Sequence, residues 1–409
     1  MPNRFSYLIV GGGMTAAAAI TGIREVDRGG SIGVIASEPH PPYNRPPLSK
    51  ALWKGTPLNS IWRTADDAAV TFYQGRTASG LDVRNKRVTD DRGVVYDFEK
   101  LLLATGCRPR TLPFGKDQII YFRTVDDYQR LRALAERGNH FAVIGGGFIG
   151  SEVAAALAMN GKRVTLIFPD EFIGSQLYPV ELARSLNAFY REKGVEVVAG
   201  ARVTGCESRS GKPVLKVRDV HTGDEREIIA DGVVAGIGVQ PNVELAEAAG
   251  LTVENGIRVD ASLRTSNPDI YAAGDVACIL NPSLNQWRRV EHEDSANSMG
   301  AHAGVAMAGR TVSYEHLPFF YSDMFEMGYE AVGEVDSRLE MVTYWEIPYK
   351  RGVIYYLRDG RVRGVLIWDI YGLVDGAKRV IAGTTASQLA DPGRRLPWRR
   401  DLGVGAPGP

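Results

Sequence analysis

Two glycine turns, set about a domain's length apart, constrain this chain more than any other feature. The first, Gly11-Gly-Gly13-Met14-Thr15-Ala16, follows the apolar run 7–10. The second, Gly145-Gly-Gly147-Phe148-Ile149-Gly150, follows the apolar run 141–144. Each reads as a strand, a tight turn and a small-residue helix. That order aims backbone N–H groups and the positive end of a helix at a pyrophosphate. One such unit holds one dinucleotide; two predict that electrons pass between a pair of them.

The second half of each unit strengthens the reading. After the first turn the apolar run 31–36 leads to Glu38, 22 positions past Ala16. After the second, the run 163–168 leads to Asp170, 20 positions past Gly150. Carboxylates at this distance accept hydrogen bonds from ribose hydroxyls. Either acid could instead be a solvated loop residue beyond a strand. Alanine at 16 fits the third glycine position, which asks only for close helix-to-strand packing.

Composition narrows the partners. Lys plus Arg (48) balance Asp plus Glu (48), so bulk charge favours neither nucleic acid nor an anionic membrane. No apolar run approaches the ~20 residues that span a bilayer, and the first strand starts within a few residues of Met1, which predicts no leader peptide and a cytoplasmic protein. Cys107, Cys206 and Cys278 are scattered, with no C-x-x-C spacing, and the six histidines show no paired ligand spacing. Neither a redox disulfide nor a metal site is expected.

Along the chain, short apolar runs between 71 and 103 end at Ala104-Thr105-Gly106, where a strand stops abruptly. The second unit continues through a helix over 181–194 and a strand over 195–198 to 233–238, and a further strand closes at Gly274-Asp275. Apolar runs 353–357 and 365–368 flank Arg358-Asp-Gly360, the signature of a hairpin in a β-rich C-terminal region. From about 391 the sequence turns rich in Pro, Gly and Arg, which predicts a disordered tail.

These motifs resemble those of FAD-dependent pyridine-nucleotide oxidoreductases of the ferredoxin-reductase-like branch, and within it the apoptosis-inducing-factor family and its bacterial relatives. The resemblance rests on the two turns, Tyr43-Asn-Arg45-Pro-Pro-Leu-Ser-Lys50-Ala-Leu-Trp53, Ala104-Thr-Gly106, Phe168-Pro-Asp170, Ile270-Tyr-Ala-Ala-Gly-Asp275, Arg289-Val-Glu291-His292-Glu293-Asp294, Gly328-Tyr-Glu330-Ala-Val-Gly333 and Gly352-Val-Ile-Tyr-Tyr-Leu-Arg-Asp359. It implies an α/β fold with two Rossmann-like dinucleotide-binding domains of the glutathione-reductase-like type. The FAD-binding domain would be discontinuous (1–112 and 239–315), the NAD-binding domain would span 113–238 and a C-terminal α+β domain 316–390, followed by the tail 391–409.

Carried over residue by residue, the resemblance implies that Gly11, Gly13, Met14 and Thr15 face the FAD pyrophosphate, Glu38 its ribose and Val83 its adenine. Arg45, Lys50, Ala104, Thr105, Gly106, Arg123, Asp275, His292 and Glu293 would contact the rest of FAD. Gly145, Gly147, Phe148, Ile149, Gly150, Asp170 and Gly238 would hold NADH, with Glu291, Tyr321 and Glu330 near the nicotinamide. Tyr321 stands where apoptosis-inducing factor carries a tryptophan.

The resemblance also implies hydride transfer from NADH to flavin N5, then electron delivery to an external acceptor: an iron–sulfur protein such as a ferredoxin or rubredoxin, a quinone, or oxygen. Lys50 follows a rigid Pro-Pro pair and would pair with Glu152 beside the flavin, raising its potential. A solvated loop lysine and a helix-start acid are the plain alternatives. The small-residue run 294–308 reads as a helix whose positive end would stabilise the reduced ring, with His292 an orienting contact. A disulfide reductase is disfavoured because 43–50 holds no cysteine. A different class, an NADH-sensing flavoprotein whose long-lived charge-transfer state controls partner binding, stays open, as does a homodimer. The long insertion of the animal protein is missing between Val342 and Gly352, so gating by it does not carry over.

Overall fold

The computed structural model describes residues 3–63, 69–383 and 402, so the tail expected to be disordered lies outside the described residues apart from Leu402. The chain divides into two compact units: Met1–Arg45, Leu58–Arg108 and Gln240–Pro318 form one, and Pro46–Pro57, Pro109–Val239 and Phe319–Pro409 the other.

In the first unit the strand Asn3–Val10 pairs in parallel with Ile32–Ala36 on one side and Val95–Leu103 on the other. Leu8, Ile9, Leu101, Leu102 and Leu103 are wholly buried. A parallel sheet covered on both faces requires such unbroken apolar runs rather than alternation. Val70–Gln74 extends the sheet at one edge, Arg87–Asp90 and Ala78–Asp82 at the other, and Ile270–Ala272 adds in parallel to Val95–Leu103.

The helix Met14–Val26, which starts at the first glycine turn, lies against the helix Glu293–Met307 at very close range. A methyl group on Gly300 would meet the Thr15 carbonyl oxygen at 2.4 Å, and one on Gly304 the Ala19 oxygen at 2.2 Å. The small residues of 294–308 therefore serve backbone contact between two helices. That contact fixes His292, the N-cap of the second helix, relative to the first glycine turn.

In the second unit a five-stranded parallel sheet runs in the order Val195–Val198, Arg163–Ile167, His140–Ile144, Gly232–Ala235, Ile119–Tyr121. The expected strand 195–198 is present as such, and the expected helix 181–194 runs over Val180–Glu192, started by Pro179. A five-stranded antiparallel sheet follows, in the order Phe319–Met324, Met327–Gly333, Arg361–Trp368, Arg351–Arg358, Glu340–Ile347. Its hairpin turns at Asp359 (φ 51°) and Gly360 (φ 70°), the left-handed pair that matches the twist of the flanking strands. The helix Val374–Gly383 packs on this sheet, and buried Leu402 lies against its Gly376. No helix among the described residues is long and apolar enough to cross a membrane.

Candidate active site

In the first unit, Gly11 adopts φ +114°, and a methyl there would sit 2.1 Å from the Ala104 carbonyl oxygen. The first turn is thus pressed against Ala104, where the strand Val95–Leu103 has just ended. Gly13 is the N-cap of the helix Met14–Val26, has no side-chain cap and faces open space. No acid occupies that helix's first turn, so its N–H groups and positive end are left for an anionic ligand.

Around this turn the structure gathers most of the residues singled out for FAD. Glu38 accepts hydrogen bonds from the Tyr43 hydroxyl (2.6 Å) and the Arg45 guanidinium (2.5 Å), and Arg45 also donates to the Tyr43 hydroxyl at 2.9 Å. A carboxylate has about four acceptor positions, so Glu38 keeps capacity for ribose hydroxyls. Val83 packs against the unit's apolar core. Thr105 and Asn242 exchange two hydrogen bonds, 2.7 and 2.8 Å, which pin the turn that follows Ala104. Gly274 presses on the Thr15 side chain, so Asp275 follows directly from a point beside the glycine turn.

Arg289, which opens the motif 289–294, acts through partners distant in sequence. Its guanidinium, nearly buried, donates to the Asp275 carbonyl at 3.1 Å, reaches the Cys107 sulfur at 3.3 Å and pairs with Glu291 at 2.6 Å. Arg289, fourteen residues past Asp275, thereby ties Glu291 to the Asp275 turn. Glu293 lies 3.7 Å from Arg63, a residue the motifs did not point to, which is further held by Asn44 and Asn297. At His292, removal from water pushes the imidazole down to about 4, against the upward pull of Asp275 and Asp294. It is neutral near pH 7, in keeping with an orienting contact.

The second unit repeats the cradle. A methyl on Gly145 (φ +112°) would sit 2.3 Å from the Gly236 oxygen, and one on Gly150 would sit 1.9 Å from the Gly145 oxygen. The third glycine is therefore obligatory here, whereas Ala16 suffices in the first turn. Gly147 caps the helix Phe148–Met159, again without a capping side chain, a first-turn acid or a neighbour overhead. Asp170 is exposed, two residues past buried Phe168, and its carbonyl accepts from Gly200. Gly238 accepts a backbone bond from Arg110, and Ile149 is partly exposed. Arg123 directly precedes the capping box of Thr124 and Asp127, and its N–H donates to Asp127.

The expected lysine–glutamate pair is present in this unit. Lys50 Nζ lies 2.7 Å from Glu152 Oε2, with the carboxylate 2% exposed and the lysine side chain 11%. The same ammonium lies 5.3 Å from the centre of the Tyr321 ring. Tyr321 and Glu330 are register partners on neighbouring strands, and Glu330 accepts from the Gly372 N–H at 2.9 Å. Of the residues singled out, Lys50, Arg123, Glu152, Tyr321, Glu330 and the NADH set fall in the second unit, and the others in the first.

Both turns fit a dinucleotide on structural grounds: open space over Gly13 and Gly147, uncapped helix starts, and backbones so close that only glycine can occupy Gly11 and Gly145. Two nucleotide cradles without a redox cysteine pair define a flavin- and pyridine-nucleotide-dependent oxidoreductase.

A model of the pyridine nucleotide-disulphide oxidoreductase family matches residues 5–305, and one for the apoptosis-inducing factor, mitochondrion-associated, C-terminal region matches residues 303–348. The chain belongs to the pyridine nucleotide-disulphide oxidoreductase family and is an FAD-dependent NAD(P)H oxidoreductase of its ferredoxin-reductase-like branch. It is 34% identical to the ferredoxin–NAD(+) reductase component of the anthranilate 1,2-dioxygenase system of Burkholderia cepacia, over 94% of this chain and 97% of that protein. It is 33% identical to apoptosis-inducing factor 1, mitochondrial, of Dictyostelium discoideum, over 93% of this chain and 78% of that protein. A crystal structure of the covalent putidaredoxin reductase–putidaredoxin complex superposes with a TM-score of 0.88 at 28% identity, covering 98% of both chains.

Proposed function

We propose that this protein is an NADH-dependent flavoprotein reductase that delivers electrons to a small iron–sulfur protein of the ferredoxin type, in the cytoplasm. The buried Lys50–Glu152 pair carries the reading, because a fixed ammonium with a lasting counter-ion is a device for stabilising negative charge on a neighbouring ring. Likeness to a ferredoxin–NAD(+) reductase along almost the full length of both proteins supports the acceptor class.

Bound FAD supplies the electron relay: it takes two electrons together from a nicotinamide and releases them singly. The protein's part is to bind and to orient. Gly11, Gly13, Met14 and Thr15 hold the FAD pyrophosphate, Glu38 and Arg45 its ribose end, Val83 the adenine, and Asp275 the ribityl chain. Ala104, Thr105, Gly106, Arg123, His292 and Glu293 line the remainder. Gly145, Gly147, Phe148, Ile149, Gly150 and Gly238 receive NADH, while Glu291, Tyr321 and Glu330 orient the nicotinamide end. Asp170 accepts the ribose 2′-hydroxyl and repels a 2′-phosphate. Lys50, held by Glu152, supplies the positive charge that favours electron arrival at the isoalloxazine.

Purified protein reconstituted with FAD is mixed with NADH, a plant-type or dioxygenase-type ferredoxin and cytochrome c as the final reporter. Cytochrome reduction that depends on the ferredoxin supports the proposal. Rapid flavin reduction with no ferredoxin-dependent turnover, across several such carriers, removes the iron–sulfur acceptor from it.

A further inference from the structure

Among the described residues Glu152 accepts three hydrogen bonds, and only one donor is the lysine. Ser49 Oγ donates to Oε2 at 2.6 Å beside Lys50 at 2.7 Å, and Ser322 Oγ donates to Oε1 at 2.6 Å. Both serines are buried, Ser49 at 5% and Ser322 at 1% exposure. Their donors come from segments 103 and 170 residues away from Glu152 in sequence. Three aromatic residues lie close enough to feel the carboxylate's charge: Tyr178, Tyr190 and Tyr329, whose phenols are pushed up first by burial and further by Glu152. They do not share in holding it. Tyr190 donates instead to the Ser151 carbonyl, and the rings of Tyr178 and Tyr329 meet edge to face with centroids 5.7 Å apart.

The two carboxylate oxygens are therefore unequal. Oε2 receives an ammonium, which can only donate, so this oxygen stays an acceptor. Among the described residues Ser322 is the donor to Oε1, and it sets the rotation of the carboxylate plane. Lysine has a flexible four-carbon stem with three rotatable donors, so its direction is decided by what it meets at the end. The strand Phe319–Met324 reaches both members of the pair: Tyr321 presents its ring to Nζ, while the next residue, on the opposite face of the strand, donates to the counter-ion.

We infer that Ser322 and Ser49 are positioning residues, which fix the Glu152 carboxylate and through it aim the Lys50 ammonium, with Ser322 the more consequential of the two. This rests on the proposed role of Lys50 beside the flavin. Removing the Ser322 hydroxyl takes away the donor that holds Oε1 in a buried position, which favours rotation of the carboxylate and so loosens Lys50.

The test is the flavin midpoint potential, measured by spectroelectrochemistry on FAD-loaded protein at fixed pH, with FAD content and Tm alongside. The series is Lys50→Met, Ser322→Ala, Ser322→Cys, Ser49→Ala and the double variant Lys50→Met/Ser322→Ala. Lys50→Met is expected to lower the potential. Ser322→Ala lowers it by a smaller amount and slows reduction by NADH on the order of 10-fold; Ser322→Cys, a weak donor of similar shape, falls between it and the unaltered protein. Ser49→Ala gives the smallest shift. In the double variant Ser322→Ala adds nothing, because both act through one ammonium. An equal shift from Ser322→Ala with and without Lys50 overturns the inference, as does no shift in either Ser322 variant or in Ser49→Ala while Lys50→Met responds. If Lys50→Met itself leaves the potential unchanged, the role given to Lys50 fails first, and the inference with it.

Discussion

The two glycine cradles share one plan but differ in how the acids proposed for their riboses are held. Glu38, in the first unit, is bound by Tyr43 and Arg45 into a preformed network, whereas Asp170, in the second, is exposed on its loop. A network ordered in advance lowers the entropy cost of binding and slows release; an acid left in water gives a weaker, faster site. The contrast matches one resident dinucleotide and one that exchanges at every turnover. Their third positions differ in the same spirit, Ala16 in one and an obligatory Gly150 in the other.

The largest effects should come from filling the cradles. With Gly11→Ala the new methyl collides with the Ala104 carbonyl, and the purified protein is expected to lose most of its FAD. Gly145→Ala should spare FAD content but cut kcat/KM for NADH by about 100-fold or more, about 2.7 kcal/mol. Equal loss of FAD in both variants, read from the released cofactor, would erase the division of labour.

A smaller pair of effects separates the acids. Arg45→Ala removes the guanidinium from Glu38, leaving the Tyr43 hydroxyl as its donor, and is expected to weaken FAD retention about 10-fold while leaving KM for NADH alone. Asp170→Ala should narrow the NADH-over-NADPH preference about 10-fold with FAD content unchanged. Steady-state kinetics with both nucleotides, alongside FAD quantification, reads the two together.

The smallest expected effect concerns pH and is confined to the first unit. The imidazole of His292 titrates near 4 in the folded protein against about 6.5 unfolded, so the unfolded chain binds more protons between those values. Its contribution is fully present above about 6.5 and drains away as pH falls toward 4. Stability measured by urea unfolding should therefore drop between pH 7 and pH 5 by a share, on the order of 1 kcal/mol, that His292→Gln removes. An identical pH slope in the variant would show that this imidazole is solvated.

Much of this architecture can be read from short-range signals. The two turns, the strand Val195–Val198 and the Asp359–Gly360 hairpin each depend on neighbours within a few residues, where sequence and conformation are tightly linked. The run 294–308 reads as a helix whose positive end would face the flavin, but the use of its small residues for contact with Met14–Val26 carries no local signal. What escaped the sequence lies at long range. Ser49, Ser322 and Arg289 matter through partners that only the folded chain brings near, and a serine or arginine with no local pattern carries no signal of its own.

The division between a resident and an exchanging nucleotide is tested most directly by anaerobic titration of the gel-filtered protein with NADH, following the flavin absorbance. The account predicts about one FAD per chain surviving filtration, bleached by about one equivalent of NADH, with the oxidised nucleotide recovered in the next filtrate. Protein that leaves the column without FAD while retaining bound NADH would contradict it.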